Sequence, residues 1–499
     1  MLVGVIACVL SLSFGIVAGW CGAGISQYVS FFGGLRPTLV IPWHQISIGL
    51  ALAMALCLLA ALWPAIQRGM QKPLTLLQAG AARFENKHLT KSLGGTMRTN
   101  LICAVAITIA AFSMPCQPAF AQTTQTTQTT QTTQATAAID GKSSEQTHAV
   151  VQKAVAFLKA QQKEDGSWAS DPRMPPAVTA MAMRVLAQDP ATGPRSAEVQ
   201  KALKWILATQ QADGGFYRDM LASYNTAIIV SALIQLDDPV LKPAIDKGVA
   251  YLKASQFTDI AGPGGRKVDL NSPQFGGWNY GGNRGGPDLS NTAVVLDALR
   301  DSGIPADDPA MQNALKFVTR LQNASESNNA EWAGNDGGFI YNPGRNGEGN
   351  SAAGEYTDAA GKRRLRSYGA MTYAGLKSML FAGLTKDDPR VKAAWNWIAS
   401  NWTLEANPGM AGNDPDAAKA GVFYYYHTLA RTLNVYGEPV VTDSQGKPHD
   451  WRSELVAKLA SIQQPDGSFV GTRQWMESDP IIATTLAVLS LQEAVGGDR

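Results

Sequence analysis

The stretch Gln210-Gln211-Ala212-Asp213-Gly214-Gly215-Phe216 joins a glutamine, an Asp-Gly turn and an aromatic residue. Related stretches recur from residue 161 to residue 469, and the repeat predicts one supersecondary unit stacked on copies of itself. The other copies lie at 161–168, 274–278, 335–339 and 463–469, with the weakest at 421–424.

Two kinds of helical segment alternate around these stretches. One kind is amphipathic, as in 201–207, where Leu203, Ile206 and Leu207 share a face beside Lys201 and Lys204. The other kind is apolar on nearly all sides, as in 227–234, 292–296 and 483–489, and must be buried all round. Asp-Pro pairs mark helix boundaries. Six such pairs of helices predict an all-α, α/α toroid over 146–495, with an open superhelix as the alternative.

Composition excludes several classes of protein. A formal net charge of +2 gives no basic field that would indicate a nucleic-acid partner. All five cysteines precede residue 122. The repeat region therefore has no disulfide framework, thiolate zinc site, cysteine nucleophile or internal thioester.

The first eighty residues predict a membrane hairpin. Met1 to Gly19 and Ile46 to Ile66 are each close to the ~20 apolar residues that a transmembrane helix needs. Basic residues concentrate after the second segment, which places both ends of the hairpin in the cytoplasm.

A second targeting signal follows. Met97-Arg98 precedes the apolar run 101–112 and the small-x-small sequence Ala119-Phe120-Ala121, which predicts a signal peptide cut before Gln122. A third transmembrane helix is the alternative, and Met97 rather than Met1 is an alternative start. The predicted organisation is a membrane hairpin (1–80), a basic segment with the signal-like helix (81–121), a Thr/Gln linker (122–145) and an extracytoplasmic toroid (146–495).

The repeat resembles the QW motif of squalene-hopene and other terpenoid cyclases, and the repeats of protein prenyltransferase β subunits. This resemblance covers 146–495 and implies the toroid fold. Separately, Leu62 to Arg68 and the following 73–77 resemble the last span and tail of a macrolide-exporter-type ABC-transporter permease.

The cyclase resemblance implies an acid within an Asp-x-Asp-Asp-Thr-Ala sequence. The matching frame is 288–293, but Ser290 and Asn291 stand at the second and third acidic positions, and Asp288 is the only carboxylate. A serine hydroxyl does not protonate an alkene. Capping of the following helix explains these residues more simply, so Asp288 is only a weak catalytic candidate.

The prenyltransferase resemblance implies a zinc site of Asp, Cys and His, which a region without cysteine does not form. No metal or cofactor is therefore expected. His427 is interpreted as a core histidine, and Asp414-Pro415-Asp416 as a solvated turn.

A pocket lined by aromatic residues is expected at one end of the ring, near a long Gly/Asn-rich insert (335–361) and the basic run Lys362-Arg363-Arg364. The candidate pocket residues are Trp278, Tyr280, Trp332, Tyr341, Tyr368, Tyr373, Tyr424, Tyr425, His427 and Trp475.

Three functions remain open from the sequence. The first is an exported toroid that binds an apolar, isoprenoid-type ligand with degraded or absent cyclase chemistry. The second is an active terpenoid cyclase that uses a displaced acid such as Asp288. The third is a non-catalytic scaffold for a protein or a glycan. The expected partners are an isoprenoid ligand and, through the N-terminal segment, the membrane, with no nucleic acid.

Overall fold

The computed structural model describes residues 141–168, 175–260, 262, 264–282, 285–412 and 414–495. These ranges contain twelve α-helices that alternate between an outer and an inner ring. The outer helices are α1 (Gly141–Gln161), α3 (Ala197–Leu207), α5 (Lys242–Ala254), α7 (Pro309–Thr319), α9 (Pro389–Ser400) and α11 (Trp451–Ile462). The inner helices are α2 (Pro176–Gln188), α4 (Ala222–Ile234), α6 (Leu289–Asp301), α8 (Gly369–Phe381), α10 (Val422–Tyr436) and α12 (Pro480–Val495).

The inner helices form a closed ring. Each one packs against the next, and α12 packs back against α2. The outer ring closes where α11 contacts α1. Burial follows the sequence pattern, since twelve of the thirteen residues of α8 are buried but only four of the eleven in α3. The prediction of an all-α toroid of six hairpins is confirmed, and the open superhelix is wrong.

Glutamine side chains join neighbouring hairpins. In five copies of the repeat, the glutamine Nε2 donates both to the carbonyl of its own turn glycine and to a carbonyl in the next outer helix. Gln210, for example, donates to Gly214 O at 3.1 Å and to Ala244 O at 2.9 Å. We call this arrangement the glutamine clasp. The other clasp residues are Gln162, Gln256, Gln322 and Gln463.

The turn glycine and a threonine complete each clasp. At Gly276 the φ angle is +93°, and a Cβ atom there would lie 2.0 Å from Asn313 O in the adjacent outer helix, so only glycine is accommodated. The aromatic residue that ends the turn donates its backbone N–H to a threonine of the following inner helix, as Trp278 N does to Thr292 Oγ1 at 3.1 Å. The repeat is therefore a structural joint that satisfies backbone carbonyls and N–H groups at the ends of neighbouring helices.

The one remaining junction, after α9, has no glutamine clasp among its described residues. Trp402 Nε1 instead donates to Glu454 Oε2 at 3.1 Å, and Lys458 pairs with Glu405. This explains why the copy at 421–424 is the weakest in sequence. Two short antiparallel hairpins decorate the ring, β1 (Glu355–Thr357) with β2 (Arg363–Leu365) and β3 (Val440–Thr442) with β4 (Pro448–Asp450).

The predicted transmembrane segments, signal-like segment and Thr/Gln linker, up to residue 140, lie outside the described residues. Within the described ranges, no helix has the length and apolar character needed to cross a membrane.

Candidate functional site

A cluster of buried tyrosines lies where the inner helices begin. Tyr280 OH lies 3.5 Å from Tyr341 OH, and the rings of Tyr224 and Tyr280 are 6.0 Å apart. Tyr424 OH lies 2.9 Å from Ser290 Oγ. We call this set the tyrosine cluster. Its members are Tyr224, Tyr280, Tyr341, Tyr368 and Tyr424.

Asp288 lies within the tyrosine cluster and caps α6. Its Oδ1 accepts the backbone N–H of Asn291 at 2.8 Å, and its Oδ2 accepts from Asn291 Nδ2 at 2.7 Å. Burial raises the pKa of Asp288 to about 7, although the hydrogen bonds from Asn291 oppose this rise. The capping role predicted for this frame is therefore present in the geometry. A carboxyl group that is partly protonated near neutral pH is also a chemically competent proton donor.

A second group of side chains crosses the ring near the opposite ends of the inner helices. Arg184 and Arg431 both bind Glu493, at 3.1 and 3.2 Å. Arg431 also reaches Asp301 at 2.6 Å. We call this set the axial ion-pair network. It comprises Arg184, Asp297, Asp301, Lys377, Arg431 and Glu493, three cations and three anions.

Glu493 stays ionised despite its burial. Burial alone would raise the pKa of Glu493, but the charges of Arg431 and Arg184 hold it at about 2. His427 lies beside the network with an unpartnered, buried Nδ1. Burial, aided by the charge of Arg184, lowers the pKa of His427 to about 4, so the ring is neutral at pH 7. The side chain of His427 is half-buried and lines a cavity on the ring axis.

The cavity that the described residues form on the axis is small. A cavity of about 70 Å³ extends from Tyr224 and Tyr424 to the axial ion-pair network. Such a volume holds about five water molecules, whereas small-molecule sites usually measure roughly 300–1,000 Å³.

The predicted pocket residues lie in several separate places, and His427 lines the axial cavity. Tyr280, Tyr341, Tyr368 and Tyr424 belong to the tyrosine cluster, and the ring of Trp475 lies 6.5 Å from that of Tyr368. The remaining aromatics pack elsewhere: Trp278 in a glutamine clasp, Tyr373 and Tyr425 edge-to-face between α8 and α10, and Trp332 beneath the 335–361 insert.

The sequence did not single out Glu477. Its Oε1 accepts the backbone N–H of Tyr424 at 2.8 Å at the start of α10, while its buried Oε2 has no partner among the described residues. Burial raises the pKa of Glu477 to about 8. Trp475 and Met476, just before it, both have positive φ angles of about 60°, which non-glycine residues rarely adopt. Backbone strain and a buried acid therefore coincide beside the tyrosine cluster.

The basic run at 362–364 is largely neutralised. Arg363 pairs with Glu355 at 2.6 Å, and Arg364 pairs with Asp358 at 2.8 Å. The prenyltransferase zinc set is not formed, because 122–499 contains no cysteine. Across the described ranges, no group of three or more His, Cys, Asp or Glu is placed to hold a metal ion.

Two family models match the chain. Residues 119–226 match the squalene-hopene cyclase C-terminal domain, and residues 292–495 match the prenyltransferase alpha-alpha toroid domain. Parts of the chain are therefore similar to squalene-hopene cyclase and prenyltransferase toroid domains. Residues 1–80 lie outside both matches, so the permease resemblance remains a prediction.

Individual relatives are more distant. A squalene-hopene cyclase of Schizosaccharomyces japonicus is 26% identical over 157 residues, which cover 30% of this chain and 23% of that enzyme. The chain thus aligns with less than a quarter of that cyclase's length.

Among solved structures, the type II terpene cyclase MstE from Scytonema is 15% identical, with a TM-score of 0.42 over 71% of this chain and 99% of that one. A glycosidase in complex with glucose is 11% identical, with a TM-score of 0.43 over 72% and 100% of the two chains. Neither similarity bears on the ligand or activity of this toroid.

Proposed function

We propose that this toroid is a non-catalytic binding protein whose ring axis is closed by its own side chains. The observation that carries the proposal is the 70 Å³ axial cavity, bounded at one end by the tyrosine cluster and at the other by the axial ion-pair network. The network pairs three cations with three anions, which makes this end of the axis polar rather than an entrance for an apolar chain.

The isoprenoid-binding hypothesis has less support from this geometry. An isoprenoid in the axis would have to displace Arg184, Lys377 and Arg431 from their partners, and unpairing buried charges costs several kcal/mol each. A ligand is better accommodated by a large groove that the loops before α6 and α8 form on the surface of the ring.

A displaced-acid cyclase is the second candidate, favoured by one observation. Asp288 is a buried carboxyl group with a raised pKa inside a cluster of tyrosines, and aromatic faces stabilise carbocations. Both of its oxygens already accept hydrogen bonds from Asn291, however, which holds the carboxyl group as a helix cap.

Turnover distinguishes these two candidates. The full chain is incubated with squalene and, separately, with geranylgeranyl diphosphate, and the extracts are analysed by gas chromatography and mass spectrometry. We expect no product. The control variant is Asp414→Asn, which alters the cap of a surface turn. The proposal is overturned if a cyclised product forms with the wild type and with Asp414→Asn but not with Asp288→Asn.

We also propose, from the signal-like segment at 97–121, that the toroid acts outside the cytoplasm. N-terminal sequencing of the native protein tests this, with Gln122 as the expected first residue.

A further inference from the structure

A polar groove of about 880 Å³ lies on the face of the ring where the inner helices begin. Its walls come from the loop between α5 and α6, the loop after α7 and the 335–361 insert with β2. The residues that line it are Asn271, Pro273, Arg320, Asn328, Asn329, Ala330, Glu331, Trp332, Pro343, Asn346, Gly347, Glu348, Lys362 and Arg363.

Hydrogen bonds between loops hold the frame of the groove in place. Arg320 joins the first two walls, because its Nη1 donates to Ser272 O at 2.6 Å. Trp332, which is buried in the floor, joins the second wall to the insert through its Nε1, 2.9 Å from Gly347 O. Such a frame does not need to be ordered by a ligand, which lowers the entropic cost of binding.

Other polar side chains in the groove are uncommitted. Across the described ranges, they are exposed and make no hydrogen bond or ion pair with the protein. They comprise Asn271, Asn329, Glu331, Asn346 and Lys362. Binding groups on a rigid, hydrogen-bonded frame are the arrangement expected of a ligand site.

The lining chemistry selects the class of ligand. Amide side chains both donate and accept hydrogen bonds, as sugar hydroxyls do. Arg363 is paired with Glu355, and the other charged residues of the lining are Arg320 and Lys362 against Glu331 and Glu348, two of each sign. The groove therefore carries no net charge that would select an ion, and an apolar chain meets few apolar side chains.

We propose that this groove binds a neutral oligosaccharide. This inference rests on the proposed function, because it names the ligand of a binding protein whose ring axis is closed. The volume is within the roughly 300–1,000 Å³ of small-molecule sites, so a short oligosaccharide segment is the expected occupant rather than a folded protein.

Isothermal titration of the full chain tests the site. The probes are cellotetraose, maltotetraose, mannotetraose and tetra-N-acetylchitotetraose, with an uncharged tetrapeptide and inorganic phosphate as the competing chemistries. We expect saturable binding of at least one tetrasaccharide. The Kd of that sugar should rise about tenfold in Asn329→Ala, which removes a hydrogen bond to the ligand, and severalfold in Glu331→Gln, which replaces a charge-assisted hydrogen bond with a neutral one.

Glu164→Gln is the matched control, because Glu164 is exposed and lies outside the groove. It should leave the Kd unchanged, and circular dichroism verifies that all variants are folded. The proposal is wrong if no tetrasaccharide saturates below ~10 mM, if the peptide or phosphate binds instead, or if the groove variants and Glu164→Gln behave alike. The two experiments fail separately. Absence of sugar binding would not change the result of the turnover assay, and cyclisation of squalene would overturn the proposed function whatever the titration shows.

Discussion

Glu493→Gln is the substitution that most directly probes the axial ion-pair network. It keeps the size of the side chain and removes the one buried carboxylate among the three acidic groups of the network, so Arg184 and Arg431 lose their shared partner. The pKa of Glu493 is about 2 in the folded protein, against 4.5 for an unperturbed glutamate side chain. Because one pKa unit corresponds to about 1.4 kcal/mol, the carboxylate contributes about 3 kcal/mol to the free energy of unfolding. Unpairing a buried charge costs a similar amount.

The same shift fixes the pH dependence. A carboxyl group whose pKa is depressed by folding stabilises the protein above its unfolded pKa and loses that contribution as the pH falls through its folded pKa. The stability difference between wild type and Glu493→Gln should therefore be full at pH 7 and shrink between about pH 4.5 and pH 2.

Urea denaturation followed by circular dichroism measures both effects. The matched control is Glu326→Gln, which alters an exposed glutamate in the loop after α7 and should change the free energy of unfolding by less than about 0.5 kcal/mol. If Glu493→Gln were as stable as this control at pH 7, the network would not contribute as described.

Three further predictions concern the clasps and the core. Gln463→Ala should lower the free energy of unfolding by about 1–3 kcal/mol, because two carbonyls lose a donor, while Gln464→Ala should change it little in the same urea titration. Gly421→Ala should lower the free energy of unfolding by about 3 kcal/mol or more, since its Cβ atom would lie 1.8 Å from the indole ring of Trp475. The control Gly446→Ala should lower it by only about 1 kcal/mol, since no atom lies near its Cβ position. Thermal unfolding compares the two variants. Because the pKa of His427 is lowered to about 4, wild type should lose up to about 3 kcal/mol relative to His427→Phe between pH 6.5 and pH 4; equal pH profiles would contradict this.

The fold could be predicted from the sequence because each repeat consists of residues that are close together in the chain. A turn glycine, an aromatic residue and an apolar inner helix can be recognised within a short stretch. Two clasp glutamines were missed because insertions separate them from their turns. Gln256 binds the carbonyl of Gly276, and Gln322 that of Gly337.

The candidate site was only partly predictable. The capping role of Asp288 follows from its position just before α6, and its carboxylate accepts the backbone N–H of Asn291 in the structure. The axial ion-pair network unites residues as distant as Arg184 and Glu493, each a single charge in an otherwise apolar helix. No local pattern reveals such pairing. Whether an aromatic faces the axis also depends on helix rotation, so Tyr280 entered the tyrosine cluster while Tyr425 packed outside it.

Native mass spectrometry of the full chain after incubation with squalene and with geranylgeraniol tests the closed axis most directly. The expected spectrum contains only the mass of the free protein, because a cavity of about 70 Å³ does not admit either lipid. A stoichiometric lipid adduct that disappears in a variant with a bulkier axial residue, such as Ala293→Phe, would contradict the closed axis.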